Sequence, residues 1–501
     1  MSNIYALFSA HVGRTPDKIA LIFEQQQLSY RQLDQQVLTL CSYFRQSGLK
    51  TGQRVALFAP NCPEYVVVLL AVARMGLALV PLPISLKGDA LIQALKSTPV
   101  AAAIAWPTVS KLLTDSNVIA GSPLLTLQKP VGDELSWAQL MHDYSADLQS
   151  VPAPDPEAPY ILTMTSGSTG QPKPIVLSQR CKIARAFTAT VQCYDLTVDD
   201  RVLVATPLYH SLAQRGVLMP LMLGACCVIL PKFTINAWLR AIETHRISFL
   251  FAVSSQLEAL LAEPVSSDLS SLRCVVSSSA VLNASSKQQL LQRLPGHFHE
   301  CYGASEVGVV TDFCISQRPD KNGSVGQALP HVRLKIVDDS QAELAVGQVG
   351  EIACHTSTGF SGYLKLPAAT AAAYDADGYF LTGDLGYLDQ DGFLYYAGRK
   401  KELISTGGIN VYPQDIEAVI KRHPAVIDCV AFGCPDRQLG EYLKVVYEQK
   451  GEDDLSRELR LLCLAELTDY QQPRTISRIA ELPRNQMGKV LRKQVKDDWG
   501  P

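Results

Sequence analysis

The chain has little that would take it to a membrane, a nucleic acid or an oxidising compartment. Its apolar stretches are short: the run from Tyr65 is broken by Arg74, and the run from Val217 carries Pro220 and Gly224. Both fall below the roughly 20 residues that a spanning helix needs, so each is expected as a buried helix or strand. Lys and Arg number 45 against 48 Asp and Glu, a net charge of −3, and no block of like charge forms a tail. That balance offers no electrostatic footprint for nucleic acid. The 13 cysteines include no C-x-x-C pair, and Cys226-Cys227 lie in an apolar run, so buried, reduced thiols are expected. The opening residues lack a basic start followed by a sustained apolar stretch, which sets a cytoplasmic location as the expectation. Internal repeats and low-complexity segments are missing too.

What is present begins with size. At 501 residues and 47 % hydrophobic content the chain exceeds the ~250–300 residues at which single cores stop growing, so several subdomains are expected. The runs Val202-Leu-Val-Ala, Cys226-Cys-Val-Ile-Leu and Phe249-Leu-Phe-Ala-Val read as short buried strands between amphipathic helices, the pattern of a parallel-sheet α/β protein. The proline-dense Ser150-Val-Pro-Ala-Pro-Asp-Pro-Glu-Ala-Pro159 marks a surface connection. A second boundary is expected at Gly398-Arg-Lys-Lys401, after the turn Asp389-Gln-Asp-Gly392 and a strand over residues 393–397.

One stretch carries the most chemistry: Thr163-Met164-Thr165-Ser166-Gly167-Ser168-Thr169-Gly170-Gln171-Pro172-Lys173, directly after the apolar Tyr160 to Leu162. Gly167 and Gly170 let backbone N–H groups turn toward one point, the hydroxyls of Thr165, Ser166, Ser168 and Thr169 add donors, and Lys173 adds charge. The stretch reads as a polyphosphate cradle. It is not the P-loop, whose glycine-to-lysine spacing and following Ser/Thr are not met.

Further on stand Tyr302-Gly303-Ala304-Ser305-Glu306, Tyr379-Phe-Leu-Thr-Gly-Asp384, Gly398-Arg399-Lys-Lys401 running to Gly407-Gly408-Ile-Asn-Val-Tyr-Pro413, and Asn485-Gln-Met-Gly-Lys489. With Pro207-Leu-Tyr-His210 and Gly362-Tyr-Leu-Lys-Leu-Pro367, this ordered set resembles the adenylate-forming superfamily of acyl- and aryl-CoA synthetases, peptide-synthetase adenylation domains and beetle luciferases. The resemblance covers nearly the whole length. It implies an α/β fold with a large N-terminal domain, residues 1–398, of two parallel-sheet α/β subdomains and a small β-barrel-like subdomain. A small mobile α+β C-terminal domain, residues 399–501, would follow, hinged at Lys401.

The resemblance also assigns roles. Residues 165–170 and Lys173 would hold the ATP phosphates; Ser279, Ala280, Tyr302, Gly303 and Ser305 would line the adenine side; and Glu306 would ligate Mg²⁺. Asp384 would accept the ribose hydroxyls beside Arg399, and Lys489 would bridge the acid's carboxylate and the α-phosphate. Gly407 and Gly408 resemble the wall of a pantetheine tunnel, which points to CoA or the phosphopantetheine of a carrier protein as acceptor. His210 resembles an aromatic gate beside the acid, and Ser211, Arg215, Ser254 and Ser278 would complete the acid pocket. No acidic residue follows the gate between Pro207 and Gly216, which disfavours an α-amino acid, because its buried ammonium would go unpaired.

Three positions depart from the family's pattern. Pro174 stands for the usual glycine, Gln179 for a common histidine, and Ser278-Ser279 for a Gly-Gly or Gly-Ala pair. Added side chains at the last pair are expected to narrow the pocket. The expected activity is ATP-dependent formation of an acyl-AMP and its transfer to CoA. Carrier-protein loading and a catalytically silent acyl-binding relative stand as alternatives.

Overall fold

The Val-, Ile- and Leu-rich runs of the sequence form the central strands of two largely parallel sheets. In the computed structural model of the chain the described residues are 3–119, 121–130, 132, 134–146, 152–164, 173–187, 192–264, 267–280, 282–486 and 488–500. Two compact units emerge: Met1–Asn322 with Leu329–His331 and Thr356–Ala372, and a second of Gly323–Ala328, Val332–His355 and Ala373–Pro501.

In the first unit one sheet runs in the order Gly308–Cys314, His297–Ala304, Cys274–Ser278, Phe249–Val253, Arg201–Val204, Cys226–Ile229, Ile19–Phe23, Gln26–Ser29. Neighbours from His297–Ala304 to Ile19–Phe23 are parallel, and each end is closed by an antiparallel partner. The other sheet runs Leu135–Ser136, Leu124–Thr126, Ala102–Ala105, Arg54–Phe58, Ala78–Leu82, Pro159–Met164, Pro174–Ser178, with only the last pair antiparallel. Phe249–Val253 and Ala78–Leu82 are buried at every position, as strands covered by helices on both faces should be.

The two apolar runs fall where burial demands. The first is inside the helix Pro63–Met75, stopped by left-handed Gly76, and the second spans the end of the helix Ser211–Leu223 and the strand Cys226–Ile229. Among the described residues no helix is long and apolar enough to cross a membrane. All 13 cysteines are free thiols, and all but Cys193 and Cys314 are buried.

The second unit holds a four-stranded sheet, Val332–Val337, Gly350–Thr356, Phe380–Leu388 and Leu394–Arg399, where a barrel-like piece was expected. A further sheet is built on the long hairpin Val426–Asp436 and Gly440–Gln449, with Ile404–Thr406, Ile409–Val411 and Thr475–Ile479 added to it. Ile416, Ile420, Val445, Tyr447 and Leu459 fill its core. The boundary expected at Gly398 falls within this unit.

One glycine fixes the geometry of a functional motif. The hairpin of His297–Ala304 with Gly308–Cys314 shifts register between Tyr302 and Gly303. A Cβ on Gly303 would lie 1.9 Å from the carbonyl oxygen of Gly308. Because a backbone atom cannot swing aside, Gly303→Ala is expected to cost roughly 1–3 kcal/mol of unfolding free energy, read as a lower thermal midpoint. An unchanged midpoint would show that the hairpin relaxes freely.

Candidate active site

Ligands of open α/β sheets bind beyond the carboxyl ends of the strands. Four adjacent parallel strands of the first unit bring candidate residues there. Arg201–Val204 leads into Pro207 and His210, Phe249–Val253 into Ser254, Cys274–Ser278 into Ser279 and Ala280, and His297–Ala304 into Ser305 and Glu306. Ser254 Oγ donates to the Ala280 carbonyl at 2.8 Å, which ties two of these strand ends together. Tyr302 is half-buried and faces Thr311 across the hairpin. Glu306 lies in the hairpin turn between His297–Ala304 and Gly308–Cys314.

The phosphate-cradle residues Thr165, Ser166, Gly167, Ser168, Thr169 and Gly170 lie outside the described residues. Their flanks are described: Pro159–Met164 and Pro174–Ser178 pair antiparallel, and Lys173 stands at the end where Met164 faces Pro174. The segment after Phe360 adds to the second strand. Ser361 N donates to Val176 O at 2.9 Å, Val176 N to Gly362 O at 3.0 Å and Leu364 N to Pro174 O at 2.9 Å. This seats Tyr363 between two predicted residues. The Lys173 ammonium is 5.3 Å from its ring centroid, and its hydroxyl donates to Glu306 Oε1 at 3.0 Å.

Arg185, a residue that no motif singled out, holds the Glu306 turn. On the helix Gln179–Ala186, its guanidinium donates to the carbonyls of Ser305 at 2.9 Å, Glu306 at 2.7 Å and Thr358 at 2.9 Å. It is a positioning residue: three donors of one planar group tie the Ser305-Glu306 turn to Thr358. Gln179, one of the departures, is structural here. Its amide accepts from Ile4 N at 3.0 Å and donates to Ala73 O at 2.9 Å. Ser279 shows what its departure costs, since it holds φ 76° in the left-handed region that favours glycine.

The acid pocket candidates cluster at one helix. His210 caps Ser211–Leu223, and Ser211 and Arg215 follow one turn apart on it. The His210 ring packs against Tyr209 with centroids 4.3 Å apart, and its buried Nε2 has no hydrogen-bond partner among the described residues. Arg215 lies over the Phe251 ring at 5.3 Å. Ser278 sits opposite Val253 in the sheet, half-buried.

The remaining candidates belong to the second unit. Asp384 is buried in the strand Phe380–Leu388, with Arg399 Nε 3.3 Å from its Oδ1. Burial works against the Arg399 charge, but Asp384, Tyr396 and Glu402 more than offset it and raise its pKa. Glu351, also absent from the motif set, pins both segments. It accepts from Gly383 N at 3.0 Å and from Lys400 Nζ at 2.9 Å. Lys489 ends a tight turn, its N–H donating to Asn485 Oδ1 at 3.0 Å, after Gly488 at φ 73°. Its side chain keeps accessible surface, yet the protein packed around it and the nearby Arg399 lower its pKa, against Glu402 and Asp384, which raise it. Asp384, Arg399 and Lys489 thus share one electrostatic neighbourhood. Lys401 is exposed in the short turn Lys400–Glu402, and Gly407 and Gly408, with φ 59° and 80°, form the two-residue tip of the hairpin Ile404–Thr406 and Ile409–Val411.

No group of three or more His, Cys, Asp or Glu among the described residues could hold a metal ion. A lone carboxylate such as Glu306 suits Mg²⁺, which keeps waters and takes phosphate oxygens for its other ligands.

The first unit is thus an α/β structure with candidate polar side chains gathered at the carboxyl ends of adjacent parallel strands. The chain belongs to the AMP-binding enzyme family, matching it over residues 8–364 and the AMP-binding enzyme C-terminal domain over residues 415–489. It is 32 % identical to an indoleacetate–CoA ligase of Aromatoleum aromaticum, over 97 % of this chain and 96 % of that one. A fatty acid–[acyl-carrier-protein] ligase, ScoC, of Streptomyces coeruleorubidus is 29 % identical, covering 98 % of this chain and 96 % of its own length. The ATP-bound crystal structure of MatB from Rhodopseudomonas palustris superposes with a TM-score of 0.89 at 26 % identity, covering 99 % of this chain and 100 % of that one.

Burial lowers the His210 pKa from 6.5 to about 4, so the folded protein holds a neutral imidazole at pH 7. The unfolded chain binds a proton below pH 6.5 that the folded chain refuses, so the stability this group contributes is present above 6.5 and lost as pH falls toward 4. Urea unfolding of His210→Phe should lose less stability than the parent between those two pH values, by up to about 3 kcal/mol. Parallel losses would mean that the imidazole titrates normally.

Proposed function

We propose that this protein uses ATP to activate a carboxylic acid without an α-amine and transfers the acyl group to the thiol of CoA. The carboxylate oxygen attacks the α-phosphorus, the bond to the β-phosphate oxygen breaks, and pyrophosphate leaves. The thiol then attacks the acyl carbon, and AMP departs with the former carboxylate oxygen. What supports this reading is the ion pair of Asp384 with Arg399, 3.3 Å apart, whose charges also act on Lys489 in the same unit.

Each residue has a task set by its chemistry. Lys489 offsets the repulsion between the two anions as charge builds on the phosphate oxygens. Lys173, beside the cradle residues 165–170, draws charge from the departing pyrophosphate. Asp384 accepts the ribose hydroxyls and Arg399 flanks them; Tyr302 covers the adenine, with Gly303, Ser279 and Ala280 along its edge. His210, neutral, gates the acid, which lies against Ser211, Arg215, Ser254 and Ser278. Mg²⁺ held through Glu306 supplies positive charge to the phosphates.

We further infer that residues 399–501 act as a mobile C-terminal domain on 1–398, with Lys401 as the pivot. Its rotation withdraws Lys489 and presents Gly407-Gly408 to the thiol arm. Because CoA and a carrier protein offer the same phosphopantetheine thiol, and because ScoC is similar along nearly its whole length, carrier loading is the second reading. A cytoplasmic location fits either acceptor.

Lys489→Ala should lower acid-dependent pyrophosphate release by roughly 10²–10³-fold, while thiolysis of supplied acyl-AMP by CoA persists. Equal losses in both half-reactions, or none, would overturn the role given to this lysine.

A further inference from the structure

Two helices of the first unit face each other with cations where apolar side chains would ordinarily pack. On Gln179–Ala186, Lys182, Arg185 and Ala186 line a small cavity; on Ser211–Leu223, Ser211, Arg215 and Leu218 line the other side. These spacings, i, i+3, i+4 and i, i+4, i+7, each trace one helix face. Three positive side chains therefore converge on one space beside the gate.

Their partners are unequal. Arg185 spends its donors on the carbonyls of Ser305, Glu306 and Thr358. Buried Lys182 donates to Gln214 Oε1 at 3.0 Å, a neutral acceptor. The buried Nη1 of Arg215 has no hydrogen-bond partner among the described residues. No carboxylate among the described residues forms an ion pair with any of the three. Glu306, the carboxylate whose charge acts on Arg185, accepts from the Tyr363 hydroxyl. The undescribed stretches 165–172 and 188–191 contain no acidic residue. The strain of this arrangement registers on Lys182: burial, then Arg185 and Arg215, lower its pKa to about 7.

Buried cations without a counter-charge cost stability that a bound anion returns. We propose that this cavity receives an oxygen of a second, distal anionic group on the substrate, a carboxylate or sulfonate met by the unpartnered Nη1 of Arg215 with Lys182 beside it. The inference rests on the reading of the protein as an acid-activating ligase and narrows the acid to a dianion. Arg215 stands four residues beyond Ser211, about 6 Å along the helix axis, which suits a short linker between the two anionic groups. Arg185, held by its bonds to Ser305, Glu306 and Thr358, adds field to the cavity.

Calorimetric titration onto protein saturated with Mg²⁺ and α,β-methylene-ATP tests this without turnover. Succinate, glutarate and sulfoacetate are to be compared with butyrate and monomethyl succinate, on the parent, Arg215→Met and Arg215→Lys. A dianion is expected to bind at least about 30-fold tighter than the monoanion of matched length, with Arg215→Met collapsing that preference and Arg215→Lys keeping part of it. Monoanions binding as well as dianions, no dianion binding at all, or an unchanged preference in a folded Arg215→Met would each overturn the subsite. Pyrophosphate release in parallel separates the two claims. A dianion that binds through Arg215 but releases none with authentic ATP contradicts the ligase reading alone, whereas release confined to monoanions contradicts the subsite alone.

Discussion

The buried guanidinium of Arg185 is the interaction on which the first unit's site depends. By donating to Ser305, Glu306 and Thr358 it fixes a hairpin turn against the segment that carries Tyr363. That segment is in turn hydrogen-bonded to the strand starting beside Lys173. Lys173, Tyr363 and Glu306, separated by up to 190 residues of chain (363 − 173), meet for this reason. A lysine in place of Arg185 would keep the charge and lose the planar fork that reaches three carbonyls at once.

Charge is the common feature of the other candidate residues. Within the first unit Lys173 stands against Tyr363, and Lys182 and Arg215 line one small cavity; within the second, Asp384 pairs with Arg399 and acts on Lys489. The carboxylates present are few and have definite partners, Glu306 with Tyr363 and Asp384 with Arg399. An apo protein holding unbalanced cations is less stable than it would be with the anion bound, and that difference becomes binding energy.

Much of this was legible in the sequence because the chemistry depends on short local patterns. The strands Arg201–Val204, Cys226–Ile229 and Phe249–Val253 appear where their apolar runs placed them, and Pro159–Met164 covers the apolar stretch Tyr160 to Leu162. Residues acting at long range were not legible. Arg185 and Lys182 lie in an ordinary helical stretch, and only the fold turns their face toward Ser305 and Arg215. Gln179 looked like a lost histidine, yet it ties Ile4 to Ala73, a contact between distant parts of the chain. The second unit recruits residues from before and after Thr356–Ala372, because strand pairing ignores chain order.

The central claim is that a carboxylate oxygen attacks the α-phosphorus of ATP. Its most direct test is to supply an accepted acid labelled with ¹⁸O in both carboxylate positions, together with ATP and CoA, and to weigh the products by mass spectrometry. The account predicts one ¹⁸O in AMP and one in the thioester carbonyl, with pyrophosphate unlabelled. Label in inorganic phosphate, with ADP formed instead of AMP, would contradict it.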